Sequence, residues 1–254
     1  MPCVDEEMID RLLSLNRAFY AAFAEHFAAS RSIRDPALTA ILPYLPSRAR
    51  ILDVGCGSGR LAALLDQERP GCSYVGVDPV PELIEVARLE ARGLLHTEAT
   101  FSVLDVTEEE WVERLPAASS RSPARDAFDC VVALAVLHHI PDFGLRAQVL
   151  GDMARVLKPD GCLLVSTWRF LAHERMRKKI VEWDAVGIDE EDLDPGDYLL
   201  DWKRGGRGLR YCHAIDEEEM AALAAVNNLT LREAFCAGGK ERDLSLFAVL
   251  DRGA

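Results

Sequence analysis

Apolar positions along this chain fall into two regimes. Residues 5 to about 31 carry Ile9, Leu12, Phe19, Tyr20, Phe23 and Phe27 at three- and four-residue steps, which predicts a helix laying one aromatic face on the rest of the molecule. Pro36 opens a second helix, with Leu38, Ile41, Leu42 and Leu45 inward and Pro46 just past its end. From residue 50 the pattern becomes a series of short, continuous apolar runs: Arg50–Val54, Ser73–Asp78, 100–104, 128–133 and 162–167. Helical stretches at Arg60–Glu68, Pro81 to about Arg92, 108–115 and 145–156 separate them. Runs buried on both faces and joined by helices predict a parallel sheet covered on both sides. The Ser-, Ala- and Pro-rich tract 116–126 reads as a mobile loop, and Lys158-Pro159-Asp160-Gly161 as a turn.

The alternation stops after Trp168. Residues 169–182 read as a basic amphipathic helix, 189–197 as an acidic run, and the stretch 198–213 that follows holds Arg207, Arg210, Tyr211 and His213 in a glycine-flanked basic loop. Asp216, three residues ahead of Glu219, has capping-box spacing for a helix carrying Met220, Leu223 and Val226. Strands at 229–236 and 244–250, separated by Gly238-Gly239-Lys240, predict an antiparallel addition to the sheet edge.

Composition narrows the setting. The 254 residues include 29 Lys or Arg and 42 Asp or Glu, a net charge of −13 that counts against a non-specific nucleic-acid coat but permits a local basic site. Seven cysteines without a C-x-x-C pair read as reduced thiols of a cytoplasmic protein, with Cys130 and Cys162 as core fillers. No apolar run approaches the ~20 residues of a membrane-spanning helix, so no membrane partner is expected. The acidic start at Asp5, Glu6, Glu7 and Asp10 is unlike a signal peptide. The six histidines show no ligand spacing, and His138 and His139 could not both face one ion from a helix, so no metal is expected.

The candidate chemistry gathers at strand ends. In Gly55-Cys56-Gly57-Ser58-Gly59 every second residue is glycine, so the backbone can take positive φ and pass close to a ligand. The helix that follows offers unpaired N–H groups to an anion. Asp53, Asp78 and Asp105 end three consecutive strands. An acid at the second strand end can accept both hydroxyls of a ribose, and one at the third suits an adenine amine. Any one of them could merely begin a turn. Together they point to a nucleoside-bearing cofactor, and Gly55-x-Gly57-x-Gly59 behind an acid is not the G-x-G-x-x-G dinucleotide fingerprint.

Asp53-Val54-Gly55-Cys56-Gly57-Ser58-Gly59, Asp78, Leu104-Asp105, the strand at 128–133 and Leu157-Lys158-Pro159-Asp160-Gly161 resemble the class I S-adenosylmethionine-dependent methyltransferases over roughly 48–168. The resemblance implies an α/β, Rossmann-like, seven-stranded, mostly parallel sheet with helices on both faces and the last strand antiparallel. It implies S-adenosyl-L-methionine as cofactor, with Asp78 at the ribose, Asp105 by the adenine, and Gly55, Cys56, Gly57 and Gly59 under the methionine part. Asp53, Pro79, Val106, Ala133 and Leu134 complete the expected cofactor set. The flanks give a narrower resemblance. Tyr20 to Phe27 with Arg31, Leu137-His138-His139 and Arg210-Tyr211-Cys212-His213 are similar to the tRNA methyltransferases that esterify 5-carboxymethyluridine at the wobble position. That family often shows Tyr-Tyr-His where this chain has Tyr211-Cys212-His213, and a Trp after the His pair where it has Ile140-Pro141.

The expected organisation is therefore an N-terminal helical cap (1–47) over a methyltransferase domain (48–254) with a substrate-side insertion at about 169–213. Tyr20 would cover the site and Arg31 would bind the cofactor's carboxylate. His139, Arg210, Tyr211 and His213 are the expected substrate-side residues, with Arg207 beside them and Trp168 and Trp202 as candidate walls. A carboxylate acceptor is already ionised at neutral pH, so positioning groups suffice and no general base is required. The bland alternatives are a surface arginine, a core tyrosine, and a solvated basic loop neutralising 189–197. The partner is tRNA or, alternatively, a small molecule, with room for a small activating protein. A non-catalytic scaffold is a third reading.

Overall fold

The computed structural model describes residues 4–116 and 127–253, so the expected loop at 116–126 falls almost wholly outside the described residues. Helix α1 (Glu6–Ala22) starts where the Asp5 carboxylate accepts from the Met8 N–H at 2.7 Å, a side-chain cap on an orphan donor. It breaks at Phe23, and α2 (Ala24–Ala29) continues, so the single helix expected to about residue 31 is two. The cause is tertiary. Phe19 and Phe23 are pressed by a glycine turn from far along the chain, where a Cβ on Gly208 would stand 2.5 Å from the Phe23 ring. Asp35 caps α3 (Pro36–Thr39), which is shorter than expected and gives way to a 3-10 turn at Leu42–Tyr44.

The alternating core then follows as β1 (Arg50–Val54), α4 (Arg60–Glu68), β2 (Ser73–Asp78), α5 (Pro81–Ala91), β3 (Glu98–Val103), β4 (Phe128–Leu134), α6 (Phe143–Val156) and β5 (Leu157–Trp168). The expected acidic helix at 108–115 is only a 3-10 turn at Trp111–Arg114. Between β4 and β5 the register steps from Phe128↔Leu157 to Cys130↔Cys162, so residues 158–161 bulge from the ladder where a turn was expected.

The stretch after Trp168 departs furthest from expectation. The basic helix at 169–182 does not form. It resolves into a 3-10 turn (Phe170–Ala172), a single turn α7 (Glu174–Arg177) and a short strand β6 (Ile180–Val181). The expected basic loop is likewise replaced by strands β7 (Asp197–Trp202) and β8 (Gly208–His213), antiparallel to each other and, with β6, a separate three-stranded sheet. Helix α8 (Glu217–Val226) begins at the Asp216 cap, whose carboxylate accepts from the Glu219 N–H at 2.9 Å. Strands β9 (Leu229–Ala237) and β10 (Ser245–Arg252) end the chain.

The large sheet has the order β3-β2-β1-β4-β5-β10-β9, with β10 antiparallel to both neighbours. Alternate residues serve opposite faces. Leu52, Val54, Val131 and Ala133 pack towards α6 and α8, while Ile51, Cys130 and Val132 pack towards α4 and α5. Burial on both faces explains why these strands read as continuous apolar runs. Strand order reverses between β1 and β4, which opens a crevice beyond their C-terminal ends. Helices α1 and α2 and the second sheet stand over that crevice. Leu12 packs with Trp183, Leu199 and Tyr211, so α1 and the second sheet share a core. Among the described residues, no helix is long and apolar enough to cross a membrane.

Candidate functional site

The glycine turn is pinned from below. The N–H groups of Gly55 and Cys56 both donate to the Val77 carbonyl, at 2.8 and 3.0 Å, tying the turn after β1 to the end of β2. Gly55 and Gly57 have φ of 67° and 55°, where a side chain is strained. A Cβ on Gly55 would also lie 2.5 Å from the Val136 methyl. Above Gly57 the nearest atom is the Phe27 ring at 3.9 Å, so this glycine faces open space. Gly57 floors a cradle, whereas Gly55 is needed for packing.

The three acids differ in their commitments. Asp53 is buried and accepts from the Tyr74 hydroxyl at 2.5 Å; burial pushes its pKa up to about 7 against that hydrogen bond. Asp78 accepts from the N–H groups of Gly57 and Val80, each at 3.0 Å, and burial lifts its pKa to about 6. Asp105 takes Thr107 N–H and hydroxyl on one oxygen and the Arg17 guanidinium, at 2.8 Å, on the other. Opposite them, Arg31 stacks over the Phe27 ring at 4.0 Å with no ion-pair partner among the described residues. Burial and the nearby Arg60 lower its pKa to about 10, which leaves it cationic at neutral pH.

A second group lies deeper, where α1 meets β8. His139 Nδ1 is 2.9 Å from the Tyr211 carbonyl, which can only accept, so the proton sits on Nδ1. Nε2 is thereby the acceptor for the Tyr20 hydroxyl at 2.8 Å. With its proton committed, Tyr20 Oη accepts from Arg210 Nη1 at 3.3 Å. Burial, followed by the Arg210 charge, pushes the His139 pKa down to about 3, so the imidazole is neutral. Asn16 completes the arrangement: its amide donates to the carbonyls of His139 and Tyr211 and accepts from the Tyr211 N–H. Tyr211 lies on the outer edge of β8, so Asn16 and His139 satisfy the groups that another strand would pair.

Arg210 is the anomaly of the site. It is 2% exposed, lies 4.4 Å from the Trp168 ring, 5.2 Å from Phe19 and 5.4 Å from Trp202, and has no carboxylate partner among the described residues. Its Nε has no hydrogen-bond acceptor. Aromatic faces offset part of the cost of burying a cation. An unpaired buried charge still costs several kcal/mol, on the order expected for a desolvated ion.

Strand geometry separates the residues that were expected to act together. Alternation along β8 puts Arg210 and Cys212 on one face and Tyr211 and His213 on the other. The Tyr211 hydroxyl donates to Asp197 at 2.7 Å, and His213 sits between Asp197 at 2.6 Å and Glu219 at 2.9 Å. Arg146, also buried, holds Glu219 at 2.9 Å and the Ile140 carbonyl at 2.9 Å.

Tyr20, Arg31, Asp53, Gly55, Cys56, Gly57, Asp78, Pro79, Asp105, Val106, Leu134 and His139 line one cleft together with Trp168. Gly59 and Ala133 stand behind that lining, as do Arg210, Tyr211 and His213, although Arg210 touches the lining residues Tyr20 and Trp168. Sequence reading passed over Asn16, Arg17 and Thr107, which also line it. The Asp105-x-Thr107 turn had a readable spacing. Asn16 carried only the faint signal of a polar residue inside an aromatic stripe. His138 and His139 lie in a 3-10 turn rather than an α-helix, with ring centroids 4.3 Å apart, and Cys212 adds a third potential ligand atom. The geometric objection to a shared ion therefore does not hold. The Arg210 charge and the two committed nitrogens of His139 weigh against a cation there.

A cleft at the switch point of this sheet order, floored by a glycine cradle and edged by acids on successive strands, defines a Rossmann-like nucleoside-cofactor domain of the methyltransferase class. Residues 20–233 match the family described as "Methyltransferase domain", and the chain belongs to that family. It is an S-adenosylmethionine-dependent methyltransferase domain. A tRNA (carboxymethyluridine(34)-5-O)-methyltransferase of Arabidopsis thaliana is 29% identical over 180 residues, which cover 70% of this chain and 38% of that protein. A ubiquinone biosynthesis O-methyltransferase of Xylella fastidiosa is 38% identical over 121 residues, covering 48% and 42%. The chain thus spans about two fifths of the length of these relatives. The fold is that of a solved SAM-dependent methyltransferase from Methanosarcina mazei, with a TM-score of 0.64, 23% identity, and coverage of 84% of this chain and 97% of that one.

Proposed function

We propose that this chain transfers a methyl group from S-adenosylmethionine to a carboxylate carried on a nucleoside, the carboxymethyl group of a tRNA wobble uridine. The observation that carries the reading is Arg210, a buried guanidinium without an anion of its own beside the hydroxyl of Tyr20. An incoming carboxylate supplies what that cation lacks. The name of the Arabidopsis relative, and of a mouse relative 25% identical over 175 residues, gives the same acceptor.

The cleft suits the cofactor. The open cradle over Gly57 accepts close approach, Arg31 is a cation free for the amino-acid carboxylate, and Asp78 keeps acceptor capacity for ribose hydroxyls. Asp105 with Arg17 would border the adenine beside Val106. Asp53, Cys56, Pro79 and Leu134 would wall the remainder, with Gly59 and Ala133 shaping it from behind. Bound S-adenosylmethionine supplies an electrophilic methyl on its sulfonium.

The chain's own residues then hold and orient the acceptor. A carboxylate is ionised at neutral pH, so no proton has to be removed. His139, neutral and committed at both nitrogens, acts by fixing the Tyr20 hydroxyl rather than as a base. Arg210, held in place by the Tyr20 hydroxyl, sets the carboxylate's orientation for in-line attack, and Trp168 and Phe27 keep water out. Tyr211 and His213 contribute by holding β8. We place the reaction in the cytoplasm, a setting in which the six described free cysteines stay reduced.

A small phenolic acceptor is the second reading, favoured by the −13 charge and by the ubiquinone-type relatives. Such a hydroxyl has to lose a proton, and His139 is not free to take it. The test is methyl transfer to an RNA stem-loop carrying carboxymethyluridine, with Arg210→Ala alongside. The variant should raise the acceptor KM at least about tenfold, about 1.4 kcal/mol, at unchanged cofactor affinity. An unchanged KM, or transfer to phenols alone, would overturn the proposal.

A further inference from the structure

The anion-seeking character of the site does not stop at Arg210. Arg175 is exposed on the single turn α7. Lys179 follows at the entrance of β6, where its carbonyl accepts from the Asp201 N–H at 2.8 Å, so it lies across from the end of β7. Arg204 stands two residues beyond Trp202, whose indole N–H donates to the Arg204 carbonyl at 2.6 Å. The Trp202 ring in turn lies 5.4 Å from the Arg210 guanidinium. Exposure falls along this row, from Arg175 and Arg204 at the surface, through half-buried Lys179, to buried Arg210.

Among the described residues none of these four cations forms an ion pair, whereas their neighbours Lys178 and Lys203 are paired with Glu174 and Asp201. The row is therefore not a neutralised surface network. Burial lowers the Lys179 pKa, and so does repulsion from Arg210, Arg175 and Arg204, with Asp201 the opposing charge. Like charges kept together and uncompensated in a chain of net charge −13 mark a surface shaped for a polyanion.

We infer that Arg175, Lys179 and Arg204 form a phosphate track that carries the RNA backbone flanking the acceptor nucleotide towards Arg210. The inference rests on the nucleoside-borne carboxylate proposed above and adds the partner's chemistry: single-stranded RNA, gripped by its phosphates. Half-exposed Trp202, beside the track, offers a face on which an unstacked base can rest.

The test is a fluorescence-anisotropy titration of a labelled RNA stem-loop carrying carboxymethyluridine over a range of KCl concentrations. Arg175→Ala and Arg204→Ala should each weaken binding several-fold and reduce the slope of log K against log salt by about 0.7 per lost contact. Arg175→Lys should restore the slope, and exposed Arg92→Ala on α5's far end should change nothing. Both track residues are exposed, so thermal melting should be unaltered. Methylation of the free nucleoside, which has no flanking phosphates, should be insensitive to both substitutions. Unchanged affinity and slope in the double variant would overturn the track even if the stem-loop is methylated. Failure of the wild-type chain to bind RNA would overturn it in favour of an acidic protein segment. Salt-sensitive binding that depends on the track, without methyl transfer, would uphold the track and sink the carboxylate acceptor.

Discussion

Gly55 and Gly57 share a left-handed backbone but differ in what a methyl group would meet, and that difference separates folding from binding. Gly57→Ala should cost about 1–2 kcal/mol from the positive φ alone and abolish cofactor binding by filling the cradle. Gly55→Ala carries the same backbone cost plus a clash with Val136 at 2.5 Å, and should lose clearly more stability. Chemical denaturation paired with calorimetry of cofactor binding reads both. A Gly57→Ala variant with wild-type cofactor affinity would remove the cradle from the site. Asp78→Ala should weaken the cofactor by an order of magnitude or more in the same calorimeter, because ribose donors would be left without their acceptor; equal affinity would put the ribose elsewhere. These residues were legible in the sequence because glycine and strand-end acids are needed for local backbone reasons. Arg210, Tyr211 and His213 were legible as a group but not in their division of labour, since a two-residue alternation sends neighbours to opposite faces.

The seven-stranded sheet could be read from the sequence because its inner strands β1, β2, β4, β5 and β10 are buried on both sides and so announce themselves as apolar runs. The second sheet could not. Its strand β6 has only two residues, and β8 opens from a glycine- and arginine-rich turn. The 169–182 stretch is rich in Arg and Lys, good helix formers, yet Ile180 and Val181 are drawn into pairing with Leu200 and Leu199. This sheet is pinned by His213 between Asp197 and Glu219, with Arg146 behind. Burial opposes the His213 charge, but the two carboxylates prevail and raise its pKa, while the Glu219 pKa is lowered mainly by His213 and Arg146 against burial. A raised histidine gives its full contribution below about pH 6.5 and loses it as pH climbs through its folded value. A lowered glutamate contributes above about pH 4.3 and loses its share as pH falls. The stability difference between wild type and His213→Gln, measured by denaturant titration, should therefore be largest near pH 6 and shrink towards pH 9. A difference that grows with pH over that range would show that His213 is neutral in the folded state, and a constant one that its pKa is not raised.

At the scale of the whole molecule, the proposed function has one sheet fix the donor and the other address the acceptor, with α1 serving both. Arg17 of α1 reaches Asp105 on the cofactor side, and Tyr20, one turn on, reaches His139 and Arg210 on the acceptor side. Asn16 keeps that helix on β8. Asn16→Ala should accordingly raise the acceptor KM and lower stability together, by about 1–3 kcal/mol for the buried groups left unpaired, with cofactor affinity reduced less. The class of donor was readable because it depends on local motifs in chain order. The acceptor was not, because positions 20, 139, 168 and 210, proposed above to hold it, are brought together only by the tertiary fold. The most direct test of the account is chemical identification of the product. The chain is incubated with radiolabelled S-adenosylmethionine and an RNA stem-loop carrying carboxymethyluridine, and the labelled nucleoside is treated with mild alkali. The expected result is label on the RNA that alkali releases as methanol, the signature of a methyl ester. Label that resists alkali, or none on the RNA while a phenolic acceptor is methylated, would contradict it.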